Sequence, residues 1–354
     1  MRKSDPIADG GWPPLVFHHQ GWEVPRYGLI TLRESAKIWG GPIIFLNNTR
    51  EPLRLKGITD SKLDDWYDPE PFQKIKGDIP MDENFRAGFW LHALERFFVL
   101  NQWFARNPHH SFVHAELDVR LFAPGPLFDR LDAYAQGVFL PRASIHQAGA
   151  NWLYCNSAGA LDRLEKYLAN SVSKGFEMQL LARFLDQDDD LHSVPTHASF
   201  EQHGRQGAPG FQALEKIQIG GVVDVQPLGT WLFGQDRRNS PKQPIFNHFY
   251  FEEIGTPALD ELRFRYSWTN KALLVRHVSS KEEWPVFALH VHSKVMNRAF
   301  SPVGLAFYAW LANRKFDSII IFQNVFRFGL SRLKILTDRF YLQLGLERLW
   351  KRPN

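Results

Sequence analysis

Cysteine is almost absent from this chain: Cys155 is the only one among 354 residues. An internal disulfide is thereby excluded, as is a zinc site built on cysteine pairs, and this usage fits a reducing compartment. No apolar run reaches the roughly 20 residues that a membrane-spanning helix needs. The N-terminal MRKSDPIADGGWPP carries positive charge with no apolar stretch behind it, so no secretory signal is visible and a cytoplasmic protein is expected. Internal repeats and low-complexity tracts are missing too. A net charge of +4 is small and unevenly placed: residues 314–354 hold nine Lys or Arg against three acids, which leaves the preceding 313 residues at −2. The body lacks a basic stripe and any RNA or DNA motif, so nucleic acid is not an expected partner.

The basicity belongs to the tail. There Ile319–Phe322, Val325, Phe326, Leu330, Leu333, Leu336, Phe340 and Leu344 alternate with Arg327, Arg332, Lys334, Arg339, Arg348 and Lys351. This pattern predicts a basic amphipathic helical appendage over 313–354, behind a domain spanning 1–312. Such a helix suits peripheral contact with an anionic membrane at its inner face, and a plain docked helix is the alternative. In excess are aromatics, with 29 Phe, 12 Trp and 9 Tyr. A tryptophan face can cover a pyranose, but packing in a core is the commoner use.

Tyr27–Leu32 (YGLITL) reads as a first strand, followed by a short helix closed by Gly40 and Gly41. Ile43–Leu46 reads as a buried strand of the parallel-sheet kind, ending on Asn47 and Asn48. This is the opening of a nucleotide-binding α/β sheet, in which those amides can read a base or ribose; a simple turn is the other reading. Residues 51–81 read as a long surface loop. From Asp82 to Arg106 apolar residues recur on two helix faces, so the helix is buried and Glu95 with Arg96 reads as a structural ion pair. Strands follow at Gly137–Leu140 and Asn151–Asn156, then a helix from Ser157 to Leu168 with the serine as N-cap. A helix after Gly175 carries Glu177, and the run Asp188, Asp189, Asp190 behind it reads as a solvated loop.

The stretch HHSFVHAELDVRLF, His109 to Phe122, organises the rest. Its strand ends by presenting Glu116 and Asp118, and carboxylates at a strand end suit Mg²⁺ or Mn²⁺, which take further oxygens from substrate phosphates. An acidic strand end paired with Arg120 is the bland alternative. Between Gly220 and Asn239, GGVVDVQPLGTWLFGQDRRN combines glycines, Gly229 among them, that permit close approach with Asp224, Gln226, Asp236 and Arg237, which can hydrogen-bond hydroxyls. On the late strand Val286–Val291, His290 and His292 share a face and Lys294 follows, an arrangement that suits a metal ligand beside a phosphate-binding cation.

PIIFLNNT, HAELDV, the Gly220–Asn239 segment and LHVHSK, in this order over roughly residues 25 to 300, resemble the nucleotide-sugar-dependent glycosyltransferases of GT-A fold, of bacterial polysaccharide type. The resemblance implies an α/β, Rossmann-type mixed sheet flanked by helices. It implies that Asp118 ligates Mn²⁺ or Mg²⁺, with Glu116 in the first position of the DxD-like motif, where many members have Asp. His290 then matches the late metal histidine, with His292 as the competing choice, and Lys294 the diphosphate-binding lysine. Asp224 and the adjoining glycine-rich turn, including Gly229, would line the sugar and acceptor pocket, and Glu177 matches the acidic residue of the helix behind it. Asp224, Glu177 and Asp236 are the candidate bases of an inverting enzyme. The partners implied are a nucleotide-sugar donor, a UDP-sugar first, and a saccharide or glycolipid acceptor in surface polysaccharide synthesis. Two rivals remain: a non-catalytic carbohydrate-binding protein on the same fold, and a metal-dependent phosphohydrolase built on His290, His292, Asp118 and the 188–190 aspartates.

Overall fold

A computed structural model describes residues 11–79, 88–107, 109–122, 126–144, 146–196, 219–234, 259–279, 281, 283–292 and 294–313. Asp236, Arg237 and the basic tail from 314 lie outside the described residues. The first half runs β1 (Leu15–His19), α1 (Arg26–Ile38), β2 (Ile43–Asn47), β3 (Thr59–Lys62), α2 (Glu70–Lys76), α3 (Phe89–Arg106), β4 (Phe112–Ala115) and β5 (Val119–Leu121). Then come α4 (Leu127–Tyr134), β6 (Val138–Ser144), β7 (Gln147–Ala148), β8 (Trp152–Cys155), α5 (Ala158–Ser171), α6 (Glu177–Leu185) and β9 (Leu191–Val194). The last part holds β10 (Val222–Val223), α7 (Pro227–Phe233), β11 (Leu262–Ser267), β12 (Ala272–His277), β13 (Trp284–His290), α8 (Met296–Ala299) and α9 (Pro302–Asn313).

The α/β class holds: the main sheet is mixed and helices cover it. Among the described residues its order is β3-β2-β1-β4-β8-β6-β7, with β9 added on β6. The pairs β3/β2, β2/β1 and β1/β4 are parallel, so four strands deliver their C-terminal ends to one edge. That edge is where an open α/β sheet binds ligands. The sheet separates two cores because side chains alternate along each strand. Val16 and Leu46 pack under α3, α5 and α6. Leu15, Phe17 and Phe45 face α1 and α4.

A second sheet, β10-β13-β12-β11 with β5 on β13, is covered by α7, α8 and α9. The chain passes from β4 in the first sheet to β5 in the second through Glu116, Leu117 and Asp118 alone. The acidic motif is therefore the hinge between the two sheets, and the antiparallel register sets His290 opposite Val119.

Two sequence expectations are corrected and a third holds. Tyr27–Leu32 lies in the helix α1, whose buried residues Gly28, Thr31, Leu32 and Ser35 recur at helical spacing; the short apolar run imitates a strand. The first strand is instead β1, LVFHH, with Leu15, Val16 and Phe17 wholly buried. Residues 51–81 contain β3 and α2 rather than one long loop, with Phe72 of α2 anchored in the core. Ser157 does cap α5, its side chain accepting from the Ala160 amide at 3.3 Å.

Candidate active site

Glu116 and Asp118 stand in the turn between β4 and β5, which closes through Val119 N donating to Glu116 O at 3.1 Å. Thr31 Oγ1 of α1 donates to the Leu117 carbonyl at 2.5 Å, and Asn151 O accepts from the Glu116 amide at 2.9 Å. Leu117 is buried. With the middle residue anchored inward, the acidic side chains on either side are presented together.

His290, the last residue of β13, meets them. Its Nε2 lies 3.1 Å from Asp118 Oδ2 and 3.9 Å from Glu116 Oε2. Lys294 follows in a tight turn, its amide donating to Val291 O at 2.8 Å and its φ at 62°. A non-glycine residue in the left-handed region is uncommon, and such strain gathers where a side chain must be aimed. The aim here is clear, because Lys294 Nζ donates to Asp118 Oδ2.

Behind Glu116 lies a second charge layer. Arg96 of α3 is 5% exposed and donates from its two terminal nitrogens to Glu116 Oε1 and to Glu177 Oε1 of α6. Its Nε donates to Ala93 O at 2.8 Å. Burial alone would raise the Glu116 carboxyl; Arg96, His290 and Lys294 outweigh it and hold the group at about 2. Burial also raises Glu177, against the pull of Arg96. The expected Glu95–Arg96 pair is replaced: Glu95 takes the Tyr67 hydroxyl at 3.3 Å and faces His92 at 3.5 Å.

The group passes a chemical test for a divalent ion. One ligand atom from each of Glu116, Asp118 and His290 lies within 4.8 Å of the others. His290 Nδ1 donates to the Val225 carbonyl at 2.7 Å, so in the neutral ring Nε2 turns its lone pair toward the Asp118 carboxylate. Two electron-rich atoms facing each other are satisfied by a cation between them. Two carboxylates with one imidazole suit Mn²⁺ or Mg²⁺ better than a closed zinc site.

The other sequence candidates stand outside the three-ligand group. His292 has left β13, its ring standing edge-on to His290 at 5.8 Å, and among the described residues the three-ligand group takes His290. Asn47 is buried with its amide donating to Asp60 at 2.6 Å while its oxygen accepts from Thr49 and Lys62. Asn48 Oδ1 accepts from the Gly21 amide at 2.8 Å and so shapes the loop after β1. Asp224 is fully buried beneath β13, and Gly229 packs against the His290 carbonyl. Asp188 and Asp190 are ion-paired with Arg163.

Sequence reasoning overlooked Arg96 as the bridge between Glu116 and Glu177, and it overlooked His18, His114 and Asn151. Nε2 of each histidine and Oδ1 of Asn151 are buried without a hydrogen-bond partner among the described residues. His18 and His114 both feel the Arg96 charge. The available signal was an arginine inside a helix apolar on two faces, since a buried charge requires partners.

No family model and no curated protein matches the chain. Among solved structures it is similar to mouse xyloside xylosyltransferase 1 in its apo form, with 8% identity over 52% of this chain and 86% of that one at a TM-score of 0.34. It is also similar to the galactosyltransferase LgtC in complex with donor and acceptor sugar analogs, with 12% identity over 57% and 83% of the two chains at a TM-score of 0.36. A third is core-mannan synthase A from Aspergillus fumigatus in an Mn/GDP form, with 9% identity over 53% and 74% at a TM-score of 0.35. The likeness is partial, and the functional reading rests on the site's own residues.

Proposed function

We propose that this chain is a metal-dependent glycosyltransferase of GT-A type. It moves a sugar from a nucleotide-diphosphate sugar, a UDP-sugar first, to a saccharide or glycolipid acceptor in surface polysaccharide synthesis. The observation that carries the reading is the convergence of Glu116, Asp118 and His290 from both sheets within 4.8 Å, at the ligand edge and beside Lys294. A bound Mn²⁺ or Mg²⁺ supplies Lewis-acid neutralisation of a leaving diphosphate.

The chain's own residues do the rest. Lys294 offers a second positive charge at the same oxygens, exchanging its contact with Asp118 for a phosphate. Transfer breaks the bond from the anomeric carbon to the diphosphate and forms one to the acceptor oxygen, whose proton leaves to a base. Arg96 holds Glu116 and Glu177 apart and in place, so these two carboxylates need not reorganise as charge moves. His18 Nε2, His114 Nε2 and Asn151 Oδ1 are buried polar atoms of the kind that a hydroxyl-bearing ligand bonds.

Among the described residues no helix is long and apolar enough to cross a membrane. Contact of the basic segment 313–354 with an anionic surface stays part of this proposal. Vesicle binding that is no more salt-sensitive in the full chain than in one ended at Ala312 would remove that part.

The function is tested with Asp118→Asn. Loss of a charged ligand should lower transfer about a hundredfold or more, and Mn²⁺ should no longer raise the melting temperature together with the nucleotide sugar. Transfer that persists in excess EDTA would overturn the metal-dependent reading. Sugar binding without metal dependence or donor turnover would favour the carbohydrate-binding rival, and phosphate release from simple esters the phosphohydrolase.

A further inference from the structure

The turn that leads into α7 touches His290 at three points. Asp224 follows β10 with its amide donating to Ala288 O at 2.9 Å, and Asn151 Nδ2 donates to its carbonyl at 2.8 Å. Its carboxylate is wholly buried and points at main chain on both sides. Oδ1 accepts from Leu228 N at 3.0 Å, while Oδ2 accepts from Gly229 N at 2.8 Å and from His290 N at 3.2 Å. One side chain thus caps the first turn of α7 and ties it to the end of β13. Its neighbour's carbonyl, Val225 O, accepts from His290 Nδ1 at 2.7 Å. The third point is Gly229, where an added Cβ would lie 1.8 Å from His290 O. No other residue lets α7 come this close.

We infer that Asp224 and Gly229 are positioning residues, which together hold His290 in the Nδ1–H tautomer with Nε2 aimed at Asp118. This rests on the reading above that Nε2 ligates a divalent cation. It gives both residues a different task from contact with sugar or acceptor. Burial raises the Asp224 carboxyl to about 6 against the pull of these amides, but its two oxygens already serve three backbone amides in a wholly buried place, which leaves little room for an acceptor hydroxyl. A carbonyl only accepts, so the tautomer follows once the turn is fixed. Partners that orient a metal-binding imidazole are worth about 10–100-fold in metal affinity.

The test measures Mn²⁺ binding directly, by the loss of the free-ion EPR signal, in the wild type, His290→Ala, Asp224→Asn and Gly229→Ala. Transfer is then measured as a function of Mn²⁺. Asp224→Asn keeps the size of the side chain but turns a donor toward backbone N–H groups. It should weaken Mn²⁺ about 10–100-fold, with turnover recovering to within several-fold of wild type once Mn²⁺ is saturating. Gly229→Ala should shift the same way. If Asp224→Asn binds Mn²⁺ like wild type and loses turnover even at saturation, Asp224 is a reacting group and the inference is wrong. If His290→Ala also binds Mn²⁺ normally, the metal reading falls and takes this one with it, whereas a loss in His290→Ala alone sinks only the positioning role. Should either variant fail to fold, ¹⁵N NMR of the metal-free wild type decides: the neutral His290 ring must carry its proton on Nδ1, and an Nε2–H ring overturns the inference.

Discussion

Two places in this molecule gather carboxylates around an arginine, and they behave differently. At the corner behind α6, Arg163 takes Asp188 at 2.8 Å and also bonds Asp190, with 45% of the arginine side chain exposed. Arg163 and Asp190 are about half exposed, so water screens them, while Asp188 is the more covered of the two acids. At the ligand edge, Arg96 is buried between Glu116 and Glu177, while Asp118 and His290 approach from the other side of Glu116. These groups come from α3, α6, the β4–β5 turn and β13. Burial strengthens each interaction there, and it raises the cost of leaving any member unpaired. Acidity in a sequence is thus a poor guide to a site; convergence of elements into a dry place is the better one.

The largest effect that would sharpen the contrast is removal of Arg96. Arg96→Leu leaves the buried Glu177 with no counter-charge among the described residues and Glu116 with only His290 and Lys294, and breaking one side of a buried ion pair costs about 3–5 kcal/mol. The urea midpoint should fall accordingly at neutral pH. Adding Glu177→Leu in the same chain should recover much of the loss, because deleting both partners removes the stranded charge. A drop below about 1 kcal/mol in the single variant would place the buried triad on the same footing as a surface pair.

The same contrast explains what could be read from the sequence. β2, α5 with Ser157 at its cap, and the exit of Glu116 and Asp118 from β4 are local patterns, legible within a few residues. α1 was misread because six residues of YGLITL satisfy a strand, and only the recurrence of Gly28, Thr31, Leu32 and Ser35 over a longer window separates the two. The meeting of His290 with Asp118 spans 172 positions and depends on the register between β5 and β13, which no local pattern encodes. The resemblance supplied it where periodicity could not. Asp224 illustrates a missed local cue: it stands shortly before Pro227, the first residue of α7, and a proline there is a helix-start signal.

A smaller effect concerns pH. His18 stands next to the end of β1, and burial, followed by the His114 and Arg96 charges, holds it well below 6.5. Burial likewise holds His114 down, at about 3. Both rings are neutral in the fold, whereas in the unfolded chain they take up protons below pH 6.5. The stability they contribute is therefore complete above 6.5 and is lost as pH falls from there, for His114 toward about 3. Each contributes a slope of about 1.4 kcal/mol per pH unit within that window. His18→Leu should make the urea midpoint less sensitive between pH 6.5 and 4.5, by roughly one proton's worth of slope. An unchanged slope would mean that His18 is already charged in the fold, which would weaken the case for a dry, polar edge.

The smallest expected effect is at the other region. Arg163 hydrogen-bonds Asp188 and so holds its carboxyl below the usual range, yet arginine and Asp190 are each about half exposed. Screening by water and salt discounts such pairs to roughly 0–1 kcal/mol. The turn also has a support of its own, since Asp190 N donates to Asp188 Oδ1 at 2.9 Å without help from the arginine. Arg163→Ala should therefore shift the urea midpoint only slightly, and the difference from wild type should shrink further in 1 M salt, where the Debye length is about 3 Å. Mn²⁺ binding should not change, because neither aspartate belongs to the group at the ligand edge. A loss above about 2 kcal/mol, or a change in Mn²⁺ affinity, would show that this corner is coupled to the site and that exposure is the wrong axis on which to separate the two acidic regions.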